Sequence, residues 1–270
     1  MVDDTGKQRC IKYRKRILQL SLKLGALHIA PAFSCLEIID AIYHKLMRHD
    51  GNFPPEFLDT FILSKGHGAL AQYVVLESLG ILPESELNNL CTPTGKLGGH
   101  PDYGVPGIEA STGSLGHGLP IALGMAFADK ALGIDRKVYL VMSDGEMQEG
   151  SVWESMLIAP NLGVNNLMVI VDQNDFQVLD RVSKINPNFY PILDKIRAFG
   201  WGVVEVDGHH SESICHATRL KAIQRPLMVI AKTVKGKGVS FMENSSIWNF
   251  RSPSREGYEL AIKELDGGLK

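Results

Sequence analysis

Two oxygen donors mark the most chemically loaded stretch of the sequence. Asp144 ends an apolar run, Val138 to Met142, that stops at Ser143-Asp144-Gly145. Asn174 lies thirty positions on, where a second run, Leu167 to Val171, stops at Asp172-Gln173-Asn174-Asp175. A carboxylate and an amide carbonyl are hard ligands of the kind Mg²⁺ or Ca²⁺ takes. Gly145 lets backbone approach a phosphate closely. A helix starting near Gly150 would bring orphan N–H groups and the positive end of its dipole to the same place. Together these groups would hold a divalent cation bridged to a diphosphate. Acidic residues after buried strands are also ordinary turn and helix-cap groups, and Asp144 by itself does not separate the two readings.

The elements that must position these groups follow from hydrophobic period. Between the two runs lies a helix-length segment with Val152, Met156, Leu157 and Ala159 on one face. Strand, helix, strand is the unit that builds a parallel sheet. Both strand ends then point one way, and in open parallel sheets ligands bind at that mouth. Phe61 to Ser64 reads as another short strand, running through Lys65-Gly66-His67-Gly68 into a helix over Ala69 to Leu79, a common anion-binding layout. Pro226 to Ala231 is a further buried strand, leading into Lys232-Thr233-Val234-Lys235-Gly236-Lys237-Gly238, which either gathers phosphate or forms an exposed loop. The expectation is an α/β fold, an open, mostly parallel sheet with helices on both faces, forming one domain over 1–270.

Residues 7–29 read as an amphipathic helix, with Arg14, Lys15 and Arg16 on a solvated face. Pro31 is expected to break it, and Ser34 to N-cap a second helix reaching about Leu46. Gly98-Gly99-His100-Pro101 stands in a loop rich in Gly and Pro, and loops carry function more often than cores do. Thr112-Gly113-Ser114-Leu115-Gly116-His117-Gly118 opens an apolar helix over Leu119 to Ala131, with glycine spacing that is not GxGxxG.

Composition bounds the function. The 270 residues are 44% hydrophobic and 21% charged, enough for one large domain with a deep core. A net charge of −2 argues against nucleic acid or an anionic membrane as the main partner. Four scattered cysteines without a CxxC pair read as reduced thiols in a cytoplasmic protein. The N-terminus MVDDTGKQRC lacks the apolar stretch of a signal peptide, and no run approaches membrane-span length.

Asp-Gly with Asn thirty positions after the Asp resembles the fingerprint of thiamine diphosphate enzymes, and DGEMQEGSVWE is similar to its transketolase version. LSKGHGALAQYVVLESLGIL and KTVKGKGVSFMEN resemble transketolase stretches in the same order. The resemblance spans about residues 7–265 and implies the thiamine diphosphate-binding fold. It implies that Asp144, Asn174 and the Phe176 carbonyl hold Mg²⁺, or Ca²⁺ in its place, on the cofactor diphosphate. His67 would touch that diphosphate. Gly113 and Leu115 would lie along the cofactor rings, with Gly145 and Asn249 also beside the cofactor. His28 and His100 would face substrate, and Glu149, with Glu154, would join a carboxylate network where two cofactor-binding halves meet.

The sequence departs from that pattern in four places. Ser143 replaces the usual Gly before the metal ligand, and Ala30-Pro31-Ala32 replaces glycines after His28. Residues 176–194, containing FQVLDRVSKINPNFYPIL, replace a Gly-rich, Thr-containing loop. Trp248-Asn249 stands where the family carries Trp-His, and Asn cannot shuttle a proton near neutral pH. A full-length member carries a second domain that binds the aminopyrimidine ring, a third domain, and Arg and His residues that hold sugar phosphates, and this sequence is expected to lack them. The resemblance therefore implies the N-terminal subunit of a split transketolase, in a heterotetramer with a C-terminal partner, acting on small sugar substrates. Two other readings stay open: a thiamine diphosphate carboligase of acyloin or 1-deoxyketose type, and a non-catalytic cofactor-binding subunit.

Overall fold

A computed structural model describes residues 4–178, 180–219 and 224–267. Leu179, within the divergent segment, lies outside the described residues, as do the first three of the N-terminus. The described strands are β1 (Thr60–Leu63), β2 (Val138–Ser143), β3 (Leu167–Gln173), β4 (Gly202–Asp207) and β5 (Leu227–Lys232). The helices are α1 (Asp4–Leu24), α2 (Ile29–Ala41), α3 (Ala69–Ser78), α4 (Glu84–Asn88), α5 (Gly118–Ala131), α6 (Gly150–Asn161), α7 (Val182–Ile185), α8 (Ile192–Ala198), α9 (Ser211–Thr218) and α10 (Arg255–Leu265).

The strands form one sheet in the order β1-β2-β3-β5-β4, and every neighbouring pair is parallel. Parallel sheets are covered on both faces, which is why β2 and β5 read as continuous apolar runs. Successive side chains alternate between two cores. Phe61, Leu63, Tyr139, Val141, Ile170 and Val229 pack under α1, α2, α3, α9 and α10. Ile62, Leu140, Met142, Val169, Val171 and Ile230 pack under α5, α6 and α8. Trp201, fully buried at the start of β4, donates its indole N–H to the Met156 carbonyl at 2.8 Å and so ties β4 to α6. Ser143 stands beside Asp172 in register, so the polar ends of β2 and β3 meet at one edge.

Several expectations are corrected. The first helix ends at Leu24, with Gly25 at φ +66, rather than at residue 29. Pro31 does not break it but lies in the first turn of α2, where a missing N–H costs nothing. Ser34 is inside that helix, not its cap, and its hydroxyl donates to Asp172 at 2.6 Å. Arg14 is not solvated: it is buried, forked onto Glu37 at 2.7 and 3.0 Å, and donates to the Lys237 carbonyl at 2.7 Å. Arg16 pairs with Glu77 and Lys15 with Asp266. Leu157 turns outward, 58% exposed, leaving Val152, Met156 and Ala159 as the buried stripe of α6.

Candidate functional site

The carboxyl ends of β1, β2, β3 and β5 open into a cavity of about 460 Å³. Its floor is a buried polar network that burial alone would forbid without partners. Lys65 and Asp172, both about 1% exposed or less, form an ion pair, and Lys65 also donates to the Pro31 carbonyl at 3.0 Å. Asp172 further accepts from Ser34 and Thr233. Ser34 has spent its proton there, so it accepts from the Asn174 amide N–H₂ at 2.9 Å. That fixes which way Asn174 faces: its Oδ1 accepts from the Phe176 amide at 2.9 Å and keeps a lone pair for another partner.

Asp144 is 1% exposed at the end of β2. Its Oδ1 accepts from the Gly145 amide at 2.8 Å, and its Oδ2 from the Asp175 amide at 2.7 Å and the Tyr190 hydroxyl at 2.8 Å. Burial pushes this carboxyl up to about 7, against the pull of those donors. Gly145 has φ −60, open to any residue; what its missing side chain provides is room, since a Cβ there would lie 3.2 Å from that of Gln177 and 3.6 Å from the Phe176 carbonyl oxygen. Asn174 and Phe176 thus line one edge of the cavity, and Asp144, which does not itself line it, is joined to that edge through the Asp175 amide. Among the described residues no group of three or more His, Cys, Asp or Glu is placed to hold a metal. One carboxylate with two neutral oxygens suits a hard divalent ion whose remaining charge is met by an anionic ligand, so the residues present fit a Mg²⁺–diphosphate.

Three histidines line the same cavity. The His28 ring lies 5.8 Å from that of His67 and 5.8 Å from that of His100, and Phe250 tilts against it at 4.7 Å. Burial first, then the Lys65 and His28 charges, push the His67 imidazole well below its ordinary value. Burial lowers His28 as well. Its Nδ1 meets the Asn249 carbonyl at 2.7 Å; a carbonyl only accepts, so Nδ1 carries the proton and Nε2 is left as an acceptor. His100 is exposed at the rim, carried by a loop that Thr112 ties to the end of β1 through the Leu63 carbonyl at 2.7 Å. Gly113, at φ +128, could carry no side chain here: a Cβ would come within 2.8 Å of the His100 ring. Gly113 and Leu115 line the cavity, as does Glu149, the exposed N-cap residue of α6. His117 is exposed and does not line it.

Sequence reasoning missed three residues and left the setting of a fourth, Lys235, open. Lys65 reads in the sequence only as part of a turn. Glu146 is the fully buried glutamate of the motif, accepting from Ser64, from the Gly116 amide at 3.0 Å and from the Ser143 amide at 3.3 Å; burial raises its carboxyl. Lys235 is 3% exposed and donates to Asn249 Oδ1 at 2.8 Å; burial and the Lys65 charge push it down to about 8. Its loop is therefore not an exposed one. Tyr190, in the divergent segment, reaches Asp144. An aromatic followed by Pro at a helix start was the available signal, and it says nothing of direction.

A parallel sheet that gathers carboxylates, neutral oxygens, buried lysines and histidines at its carboxyl edge is an α/β domain with a polar ligand cavity at the ends of its strands. This chain belongs to the transketolase family: residues 14–248 match the model described as the transketolase thiamine diphosphate binding domain. Its relatives include one of the separate subunits of the apulose-4-phosphate transketolase of Phocaeicola vulgatus, 38% identical over 257 residues, covering 94% of this chain and 91% of the relative. A 6-deoxy-6-sulfo-D-fructose transketolase subunit of a Clostridium is 36% identical, covering 94% and 93%. The crystal structure of the Campylobacter jejuni transketolase superposes with a TM-score of 0.89 at 25% identity, covering 98% of this chain but 43% of that one. The chain is thus transketolase-like transferase in type, and it matches these two named subunits over nearly their whole length.

Proposed function

We propose that the chain is the N-terminal, diphosphate-binding subunit of a two-subunit transketolase. As a single domain it holds Mg²⁺–thiamine diphosphate and, completed by a C-terminal partner in a cytoplasmic heterotetramer, moves a two-carbon ketol unit from a ketose to an aldehyde. The observation that carries this reading is one cavity lined by Asn174, Phe176, His28, His67 and His100, with the Asp144 carboxylate joined to its edge through the Asp175 amide. Bound thiamine diphosphate supplies the electron sink that lets the ketose carbon–carbon bond break.

The chain's own residues bind, orient and carry hydrogen bonds. Asp144, Asn174 and the Phe176 carbonyl would hold the cation, and Lys235 and His67, which line the same cavity, would meet the diphosphate. The neutral His28 ring presents Nε2 to accept from a substrate hydroxyl, and His100 faces the same space from the rim. Asn249 is held by Lys235 and orients without moving a proton. The names of the relatives, a ketose phosphate and a sulfonated ketose transketolase, support a donor with an anionic end.

The test is ketose-phosphate cleavage with thiamine diphosphate and Mg²⁺, by this chain alone and co-expressed with the product of the neighbouring reading frame. Turnover only with the partner is expected. Turnover by the chain alone would overturn the split site, and turnover of pyruvate without ketose cleavage would move the assignment to an acyloin-type carboligase.

A further inference from the structure

The geometry points to Tyr190 as the residue that positions the metal carboxylate and sets the site's preference for Mg²⁺ over Ca²⁺. The inference rests on the metal reading just proposed. A carboxylate offers about four lone-pair sites, two on each oxygen. On Asp144, Oδ2 accepts from both the Asp175 amide and the Tyr190 hydroxyl, while Oδ1 accepts from the Gly145 amide alone. Oδ2 is therefore filled, and a cation is left one oxygen, Oδ1. Mg²⁺ demands a small octahedral shell that a one-oxygen carboxylate suits; Ca²⁺ takes more ligands and readily uses both oxygens of a carboxylate.

The hydroxyl reaches Asp144 by a fixed route. Phe189 and Ile192, on either side of the Tyr190-Pro191 pair, are 3% and 2% exposed in the core under α6 and α8. The Tyr190 ring packs edge-on against Phe189 at 5.0 Å. Upstream, the Asp175 carboxylate accepts from the Ser183 amide and hydroxyl, each at 2.8 Å, and Gln148 donates to Gln177 at 2.6 Å. The described residues on either side of Leu179 in this segment thus brace the strand edge. Tyr190 is a positioning residue in it, acting on the cation through Asp144.

Tyr190→Phe removes the hydroxyl and keeps the ring. Mg²⁺ and Ca²⁺ are titrated separately into the full chain with saturating thiamine diphosphate by calorimetry, alongside Asp144→Ala. Loss of an outer-shell partner weakens a metal by about 10–100-fold. Mg²⁺ affinity is expected to fall about tenfold in Tyr190→Phe while Ca²⁺ moves by less than about twofold, narrowing the preference. Equal weakening of both cations, or no change in either, would overturn the role of Tyr190. Failure of the metal reading looks different: Asp144→Ala would then bind both cations as the parent does.

Discussion

Replacing Lys65 by methionine asks how much of this domain's stability depends on its polar floor. Lys65 and Asp172 are sealed from water, and the ammonium has one further partner, the Pro31 carbonyl. Two unit charges about 3 Å apart attract by roughly 5–6 kcal/mol at an effective dielectric of 20, most of it offset by the cost of desolvating both. The substitution removes the attraction and leaves the desolvation of Asp172, whose remaining donors are Ser34, Thr233 and, at 3.4 Å, Asn174. Breaking such a pair costs about 3–5 kcal/mol, or roughly 10 °C in Tm for a chain of this size. Burial pulls Lys65 down, but the Asp172 charge outweighs it and raises the ammonium to about 12. On the basic side the pair's contribution is complete below about pH 10 and is lost as pH climbs through about 12; on the acid side it is lost as Asp172, which Lys65 holds below its ordinary value, takes up a proton, so neutral buffer reads all of it. Urea unfolding of Lys65→Met, Asp172→Asn and the double variant gives the coupling. The amide introduced by Asp172→Asn still accepts from Ser34 and Thr233, so the double variant should recover most of the loss. A Lys65→Met variant within about 1 kcal/mol of the parent, or a double variant no better than Lys65→Met, would refute the reasoning.

Two further outcomes follow from groups around the same loop. Although burial raises it, Arg14 and His209 hold Glu37 down to about 2, so it contributes stability above about pH 4.5 that disappears as pH falls toward 2; that is about 3 kcal/mol, and Glu37→Gln should show a flatter acid limb by urea unfolding between those values. Lys235→Met should weaken inorganic pyrophosphate binding by about tenfold in calorimetry without moving the urea midpoint downward, since it deletes a desolvated charge that lines the cavity.

Much of the site was legible because buried parallel strands announce themselves as apolar runs, and the residues that end them necessarily share an edge. Asp144 and Asn174 were found that way, and β1 and β5 placed His67 and the lysine-bearing loop beside them. What stayed hidden was decided by contacts far apart in sequence. Lys65 and Asp172 are separated by 107 positions and Arg14 and Glu37 by 23, so neither pairing appears in any local pattern. Glu146 and Glu149 differ only in which side of a turn each occupies, and the turn is set by Ser64 and Gly116 from other segments. Pro31 and Ser34 misled for a different reason: both are good boundary residues, and the tertiary pull of Asp172 on Ser34 outweighed that local preference.

The floor of the cavity is assembled from Ser34, Lys65, Asp172, Asn174 and Thr233, which lie on segments distributed over most of the chain. No partly folded form can offer that set of groups together. A ligand captured there is captured by the native state alone, and mass action then turns occupancy into resistance to unfolding: about 2.7 kcal/mol at a free concentration one hundred times Kd. Proteolysis that proceeds through the open chain slows by the same factor. The cofactor supply would thus govern how long the polypeptide survives as well as how fast it turns over.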